Sequence, residues 1–238
     1  MLKFEKIADD LRLAIKNGDY LPGDQLPLEK ELCEKYKVSR VTIKHAVDEL
    51  VMRGLVVKRR GWGTFVKNLD EMYAKELTLS MANQFSGFSE TFKGRDIKTE
   101  VLKFEIVHPT EEGALKLQMS VKDFVYDITR VRILEGEPYV IEYMTMPIFL
   151  IPAISEEILK NSIYSYIEGN LKLKIQSAHR TIRAVKSSEL EREHLKISDD
   201  LPILEIEQVA FLSDGRPFEY SISHHRADKT SFSAISIR

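Results

Sequence analysis

Leu26-Pro27-Leu28-Glu29-Lys30-Glu31-Leu32, then Val38-Ser39-Arg40-Val41-Thr42-Ile43-Lys44-His45-Ala46, then Arg59-Arg60-Gly61-Trp62-Gly63-Thr64-Phe65-Val66 decide how the N-terminal part of this chain folds. Glu29 to Tyr36 reads as a helix entered after Pro27, with Leu32 and Cys33 turned inward. Ser39 suits the N-cap of a further helix, because its hydroxyl oxygen can accept an orphan backbone N–H. That helix runs to about Arg53, with Ile43, Ala46, Val47 and Leu50 inward at helical spacing, and Gly54 supplies a left-handed stop. The short Lys37-Val38 link makes the pair a helix-turn-helix.

Burying one face of the second helix leaves Ser39, Arg40, Thr42, Lys44 and His45 at its exposed N-terminal end. That end meets base edges and phosphates when such a helix enters a major groove. Arg40 is best placed to read a guanine through two hydrogen bonds, and Thr42 and Lys44 suit phosphate or base contacts. Leu55-Val56-Val57 and Thr64-Phe65-Val66 are short β-type runs around a basic hairpin tip, Lys58 to Gly63. A wing of this kind can press into the minor groove, with Arg60 as the probing cation. Upstream, Phe4, Ile7, Leu11 and Ile15 recur at helical spacing, so a further helix packs against the pair. Taken singly, a charged helix face is a solvated face and a basic hairpin is a turn. Their order and spacing favour DNA over a three-helix interaction module, which would not need the basic wing.

Charge follows the same division. Residues 1–67 carry 14 Lys+Arg against 10 Asp+Glu, whereas residues 68–238 carry 21 against 27. A mildly basic head on an acidic body is the asymmetry expected if only the head meets phosphate. We place the head at 1–67, a polar linker at 68–79 and a second domain at 80–238. A single cysteine, Cys33, excludes an internal disulfide and fits a reducing cytoplasm. No apolar run is long enough for a membrane span, and the first residues lack a secretory signal's pattern, so the expected location is cytoplasmic.

The second domain alternates strands and short helices. Strand-like runs cover 99–107, 124–134, 139–146, 175–184, 203–212 and 218–226, with helices at 111–117, 156–160, 162–171 and 187–195. Glu135-Gly136-Glu137-Pro138 and Ser213-Asp214-Gly215-Arg216-Pro217 mark two hairpins. The class is therefore α+β, a winged helix-turn-helix followed by a mostly antiparallel sheet with helices. Asn83 to Gly94, rich in Ser, Gly and Phe, reads as a loop, either plain surface or a cover for a ligand. Arg130 and Arg132, two apart on a strand, share a face. They are either surface arginines paired with Glu or a clamp for phosphate or carboxylate, which the guanidinium fork fits. Ser162 opens a helix, whose free N–H groups favour anions unless the serine is only a cap. Glu142 and Glu219 lie in the return strands of the hairpins, where they either face solvent or accept hydrogen bonds from sugar hydroxyls.

The head motifs resemble those of the GntR family of bacterial regulators across the whole of 1–67. The resemblance implies DNA contacts at Lys30, Ser39, Arg40, Thr42, Lys44 and the wing-tip Gly61. Departures are Leu28, where the family usually has a capping Ser, and Lys30 and Lys44, where Arg is frequent. A Lys keeps phosphate attraction but loses bidentate base reading.

Arg130-Val131-Arg132, Gly136-Glu137-Pro138, Glu142-Tyr143, Asn161-Ser162-Ile163-Tyr164, Leu201-Pro202-Ile203-Leu204 and Phe218-Glu219-Tyr220-Ser221 resemble the UTRA effector-binding module of the histidine-utilisation-repressor branch. That module is similar in fold to chorismate lyase. The resemblance implies effector contacts at Arg130, Arg132, Glu142, Ser162, Tyr164 and Glu219, with the loop Ser86 to Ser89 closing over an anionic group. The segment from Asn161 to Gly169 is similar to that of sugar-uptake repressors, trehalose-type repressors among them, so a phosphorylated sugar is the first expectation and an amino-sugar phosphate or organic acid the second. The expected protein is a ligand-responsive repressor, acting as a homodimer on palindromic operator DNA. No cofactor, metal site or catalytic residue is expected: there is no phosphate loop, zinc-ligand spacing or nucleophile motif, and His224 and His225 point to opposite faces of their strand. An enzyme of chorismate-lyase-like fold is the remote alternative.

Overall fold

Two compact units make up the computed structural model, which describes residues 2–68 and 87–232; one unit holds residues 2–68 and the other residues 87–231. In the first, the periodic apolar residues build α1 (Lys3–Asn17), which buries Ile7, Ala8 and Leu11. Helices α2 (Glu29–Tyr36) and α3 (Arg40–Met52) follow, joined by Lys37 in the left-handed region. Ser39 caps α3 as expected, its hydroxyl oxygen accepting the Thr42 N–H at 3.3 Å. At the start of α2, Leu28 offers no oxygen, and only half of a capping box forms: the Glu31 carboxylate accepts the Leu28 N–H at 2.7 Å.

The wing is the antiparallel pair β1 (Val56–Arg59) and β2 (Gly63–Val66), widened by a bridge between Gln25 and Phe65. Leu11, Leu26, Leu32, Ile43, Leu50 and Val56 close the core beneath it, with Cys33 half-buried at its margin. Three helices and a hairpin thus form the winged helix-turn-helix.

The second unit opens with α4 (Phe88–Thr91). It continues as β3 (Ile97–Val107), α5 (Glu111–Lys116), β4 (Val125–Leu134), β5 (Glu137–Pro147), α6 (Glu156–Lys160) and α7 (Ile163–Gly169). β6 (Ile175–Val185), α8 (Glu189–Leu195), β7 (Ile203–Leu212) and β8 (Pro217–Arg226) complete it. One six-stranded sheet results, in the order β3-β4-β5-β8-β7-β6, and every pairing is antiparallel.

The two hairpins predicted from turn chemistry meet at the centre, where β5 pairs with β8. One face buries Ile128, Met144, Met146 and Phe218 with Leu159 of α6 and Ile163 and Ile167 of α7. The other buries Val131, Ile141 and Ile203 with Leu195 of α8.

Two expectations are corrected. The stretch expected as a loop from Asn83 to Gly94 contains α4, because Phe92 is buried and draws a helical turn down onto the sheet. The helix expected from Ser162 to Leu171 stops at Gly169: the N–H groups of Asn170 and Leu171 both turn back to the Tyr166 carbonyl. Residues 69–86, which hold most of the expected linker and Ser86, lie outside the described residues. No helix among the described residues is long and apolar enough to cross a membrane.

Candidate functional site

Two surfaces matter, one in each unit. On the first, burying Ile43, Ala46, Val47 and Leu50 of α3 leaves Ser39, Arg40 and Lys44 exposed at its N-terminal end, as the sequence predicts. Thr42 is half-buried, and its hydroxyl lies 2.9 Å from that of Ser39. Arg40 is held by Glu29 of α2 at 3.3 Å, yet its side chain remains 79% exposed. An exposed pair of this kind is worth little and yields readily to phosphate or a base. Lys30 is exposed on α2, and Arg60 and Gly61 are exposed at the wing tip. Gly61 has φ 79 and open space around its missing Cβ, so the tip can approach another backbone closely.

The second surface lies on the α6–α7 face of the sheet. Arg130 and Arg132 project side by side from β4, but they are not surface residues: they are 5% and 1% exposed. Arg130 donates from Nε to Glu142 at 2.6 Å and from Nη1 to the Leu159 carbonyl at 2.9 Å. Arg132 donates from Nη2 to the Ser89 hydroxyl at 2.8 Å, and its guanidinium lies 4.9 Å from the centre of the Phe88 ring. Its Nε is buried without a hydrogen-bond partner.

Burial, reinforced by the neighbouring Arg130 charge, lowers the Arg132 guanidinium to about 10, which leaves it cationic at neutral pH. Burial works against the charge of Glu142 as well, but Arg130 and Arg132 outweigh it and hold that carboxyl below the usual range. Two guanidiniums thus share one carboxylate in a largely apolar surround. Excess buried charge of this kind is costly unless paired.

Farther along the same face, β7 and β8 supply a second polar group. Gln208 donates to Glu219 at 2.9 Å and to the Tyr164 hydroxyl at 3.3 Å, and accepts from Arg180 Nε at 2.7 Å. Ser221 also donates to Glu219, at 2.7 Å. Burial, aided by the charge of Glu142, raises the Glu219 carboxyl, and burial with Glu219 nearby raises the Tyr164 hydroxyl. Tyr164 packs against Gly87, the N-cap of α4, where a Cβ would lie only 3.1 Å from the ring. Ser162 behaves as a cap, its hydroxyl oxygen accepting the Ser165 N–H at 3.2 Å.

Arg130, Arg132, Glu142, Tyr164, Glu219 and Ser89 are therefore brought to one side of the sheet, with Ser162 at the head of α7.

Sequence reasoning missed Thr99, Arg180, Gln208 and His225. Thr99, Arg132, Val140 and His225 form one row across β3, β4, β5 and β8, and Thr99 Oγ1 and His225 Nδ1 are, like Arg132 Nε, buried without partners. Burial pushes the His225 imidazole down to about 4, so it is neutral there. The signal was strand parity: once Arg132 faces inward, counting across the register places each of these on the same face. His224 takes the opposite face, as expected, between Glu191 at 2.8 Å and Glu205 at 3.1 Å. Among the described residues, no cluster of three or more His, Cys, Asp or Glu side chains is placed to hold a metal ion.

Comparison with known proteins identifies both domains. The family model described as "Bacterial regulatory proteins, gntR family" matches residues 3–66, and that of the "UTRA domain" matches residues 93–231. The chain is 42% identical over 238 residues to the HTH-type transcriptional regulator GmuR of Bacillus subtilis, covering 100% of both chains. It is 33% identical to the mannosyl-D-glycerate transport/metabolism system repressor MngR of Escherichia coli, over 99% of this chain and 96% of that one. A solved structure of the possible transcriptional regulator YydK from Bacillus subtilis superposes with a TM-score of 0.78 at 25% identity, covering 100% of both chains. These relatives are named as regulators or repressors, not enzymes. With a GntR head and a UTRA domain that alone spans more than half of its length, this chain belongs to the GntR family of bacterial transcriptional regulators, in its UTRA-containing branch.

Proposed function

We propose that this protein is a cytoplasmic repressor of a carbohydrate uptake or catabolism operon, released or modulated by a phosphorylated sugar. The observation that carries the effector reading is the buried pair Arg130 and Arg132, with Glu142 bonded to Arg130 and an orphan Arg132 Nε. An anion with several acceptor oxygens would balance that charge and satisfy that donor, which is what a phosphate offers. Ser86, Ser89 and Ser162 would complete the anion's surroundings. Glu219 and Tyr164, linked through Gln208, would meet sugar hydroxyls. Burial raises the Glu219 carboxyl, and its oxygens would accept hydrogen bonds from such hydroxyls.

Residues 1–67 would bind the operator through Lys30, Ser39, Arg40, Thr42, Lys44, Arg60 and Gly61, with 68–79 as linker and 80–238 as sensor. A homodimer on a palindrome would place half-sites about one helical turn apart. The effector would act only by its differential affinity for the DNA-competent and DNA-incompetent arrangements. One relative is named for a mannosyl-D-glycerate system, which favours a second reading, a sugar bearing a carboxylate. A thermal-shift panel of phosphorylated, carboxylated and neutral sugars tests both. A phosphorylated sugar at about a hundred times its Kd stabilises by ~2.7 kcal/mol. The same compound then alters operator retention in a gel shift. A panel in which only neutral sugars act would overturn the anion reading.

A further inference from the structure

We infer that Trp62 is a DNA-contacting residue of the wing, its indole lying against the deoxyribose edges of the minor groove beside each half-site. This rests on the operator-binding reading proposed above. Trp62 is the single tryptophan of the chain and is 74% exposed, at the apex of the wing. So large an apolar surface in water is unfavourable until something covers it.

The exposure belongs to a braced turn. The Trp62 N–H donates to the Arg59 carbonyl at 3.0 Å, closing the tip. The Trp62 carbonyl accepts from Gln25 Nε2 at 2.7 Å, so a residue outside the hairpin clamps it. Gly63, at φ 119, makes room for that clamp: a Cβ there would lie 2.3 Å from Gln25 Nε2. The backbone that carries the indole is thus braced, so little backbone ordering remains to be done on binding.

The surroundings identify the partner. From Val56 to Lys67 there are four cations, Lys58, Arg59, Arg60 and Lys67, and no carboxylate. Lys58 is engaged by Asp48, and Arg59 lies 4.8 Å from the Phe65 ring centre. Arg60, two residues before Trp62, is exposed. An apolar protein surface would not match this excess of cations over carboxylates along the wing, whereas a polyanion matches it. An indole offers a flat apolar face for sugar edges and one N–H donor for the acceptors on the minor-groove floor. Because groove width decides how closely a ring of this size can enter, Trp62 would favour A·T-rich flanks, where the groove is narrow and its walls touch both faces of the ring.

The test uses the full chain and a duplex that the wild-type protein has selected from a random-sequence library. Binding is followed by the anisotropy of labelled duplex and, in parallel, by the emission of Trp62. Saturating duplex is expected to quench that emission and shift it to the blue. Trp62→Ala should weaken binding about tenfold, on the scale of losing one aromatic contact to nucleic acid, and Trp62→Phe should recover most of it. The melting temperature of Trp62→Ala should match the wild type, since the ring is not part of the core. Emission unchanged while anisotropy reports a bound duplex, or Trp62→Ala binding as tightly as wild type, overturns the inference. A wild-type protein that selects no duplex overturns the operator reading itself, and this inference with it.

Discussion

Arg130, Arg132 and Glu142 show how one carboxylate keeps two buried guanidiniums tolerable. Removing it with Glu142→Ala should cost about 3–5 kcal/mol in urea denaturation, the usual cost of stranding a buried charge. Binding of an anionic effector should recover part of that loss. A Glu142→Ala protein as stable as wild type without ligand would mean that solvent already screens the pair.

Glu219 gives a test with a definite sign. Burial raises its carboxyl above the ordinary value of 4.5, so the folded state holds the proton more firmly than the unfolded chain does. Its contribution is therefore complete below the ordinary value and is lost as pH rises through the raised one. Glu219→Gln mimics the protonated form, so its stability relative to wild type should increase from acid to neutral pH. A difference that is flat with pH, read from paired melting curves, would contradict this.

At the scale of elements, the head departs from good local design at one place. Leu28 occupies the N-cap position of α2, is 52% exposed and supplies no capping oxygen. Leu28→Ser should stabilise the head by about 0.5–1 kcal/mol, and Ser39→Ala, which removes the cap of α3, should destabilise it by about 1 kcal/mol. Both are measurable as changes in the denaturation midpoint. Arg40→Ala, on the same helix end, should leave stability almost unchanged because its pair with Glu29 is exposed. It should weaken selected-duplex binding by about 1–3 kcal/mol and relax base preference at one position.

These element-level features were largely legible in sequence: the caps, the turn glycines and the apolar periods each act over a few residues. α4 was not, because what anchors it is Phe92 packing against Tyr139, a contact between parts of the chain far apart in sequence.

For the molecule as a whole, charge is segregated by unit, with the excess of cations confined to residues 1–67. Operator affinity should accordingly fall steeply with salt, by a logarithmic slope of about −0.9 for each phosphate neutralised. Lys44→Ala, which removes a phosphate contact on the proposed DNA-binding reading, should reduce the slope by about one. Stability should also respond to acid through the sheet domain. Burial lowers the His225 imidazole from 6.5 to about 4, so the unfolded chain binds its proton first. Stability from this residue is full above 6.5 and is lost as pH falls toward 4. A His225→Gln protein should lack that part of the acid sensitivity, as a pH series of melting curves would show.

The sequence by itself determined the winged helix-turn-helix, the two hairpins and the place of Arg130, Arg132, Glu142, Tyr164 and Glu219 in the motifs of the UTRA domain. Each is written in local patterns of period, cap and turn, or in short motifs. Only the tertiary structure decided that the two arginines are buried and that both act on the charge of one carboxylate, Glu142, which bonds Arg130. Only it brought Thr99 and His225 into their row and joined Arg180 to Glu219 through Gln208. The physical reason is that burial and charge balance are set by pairing between strands distant in sequence. A residue's neighbours along the chain do not reveal which face of the sheet it will share, or with what.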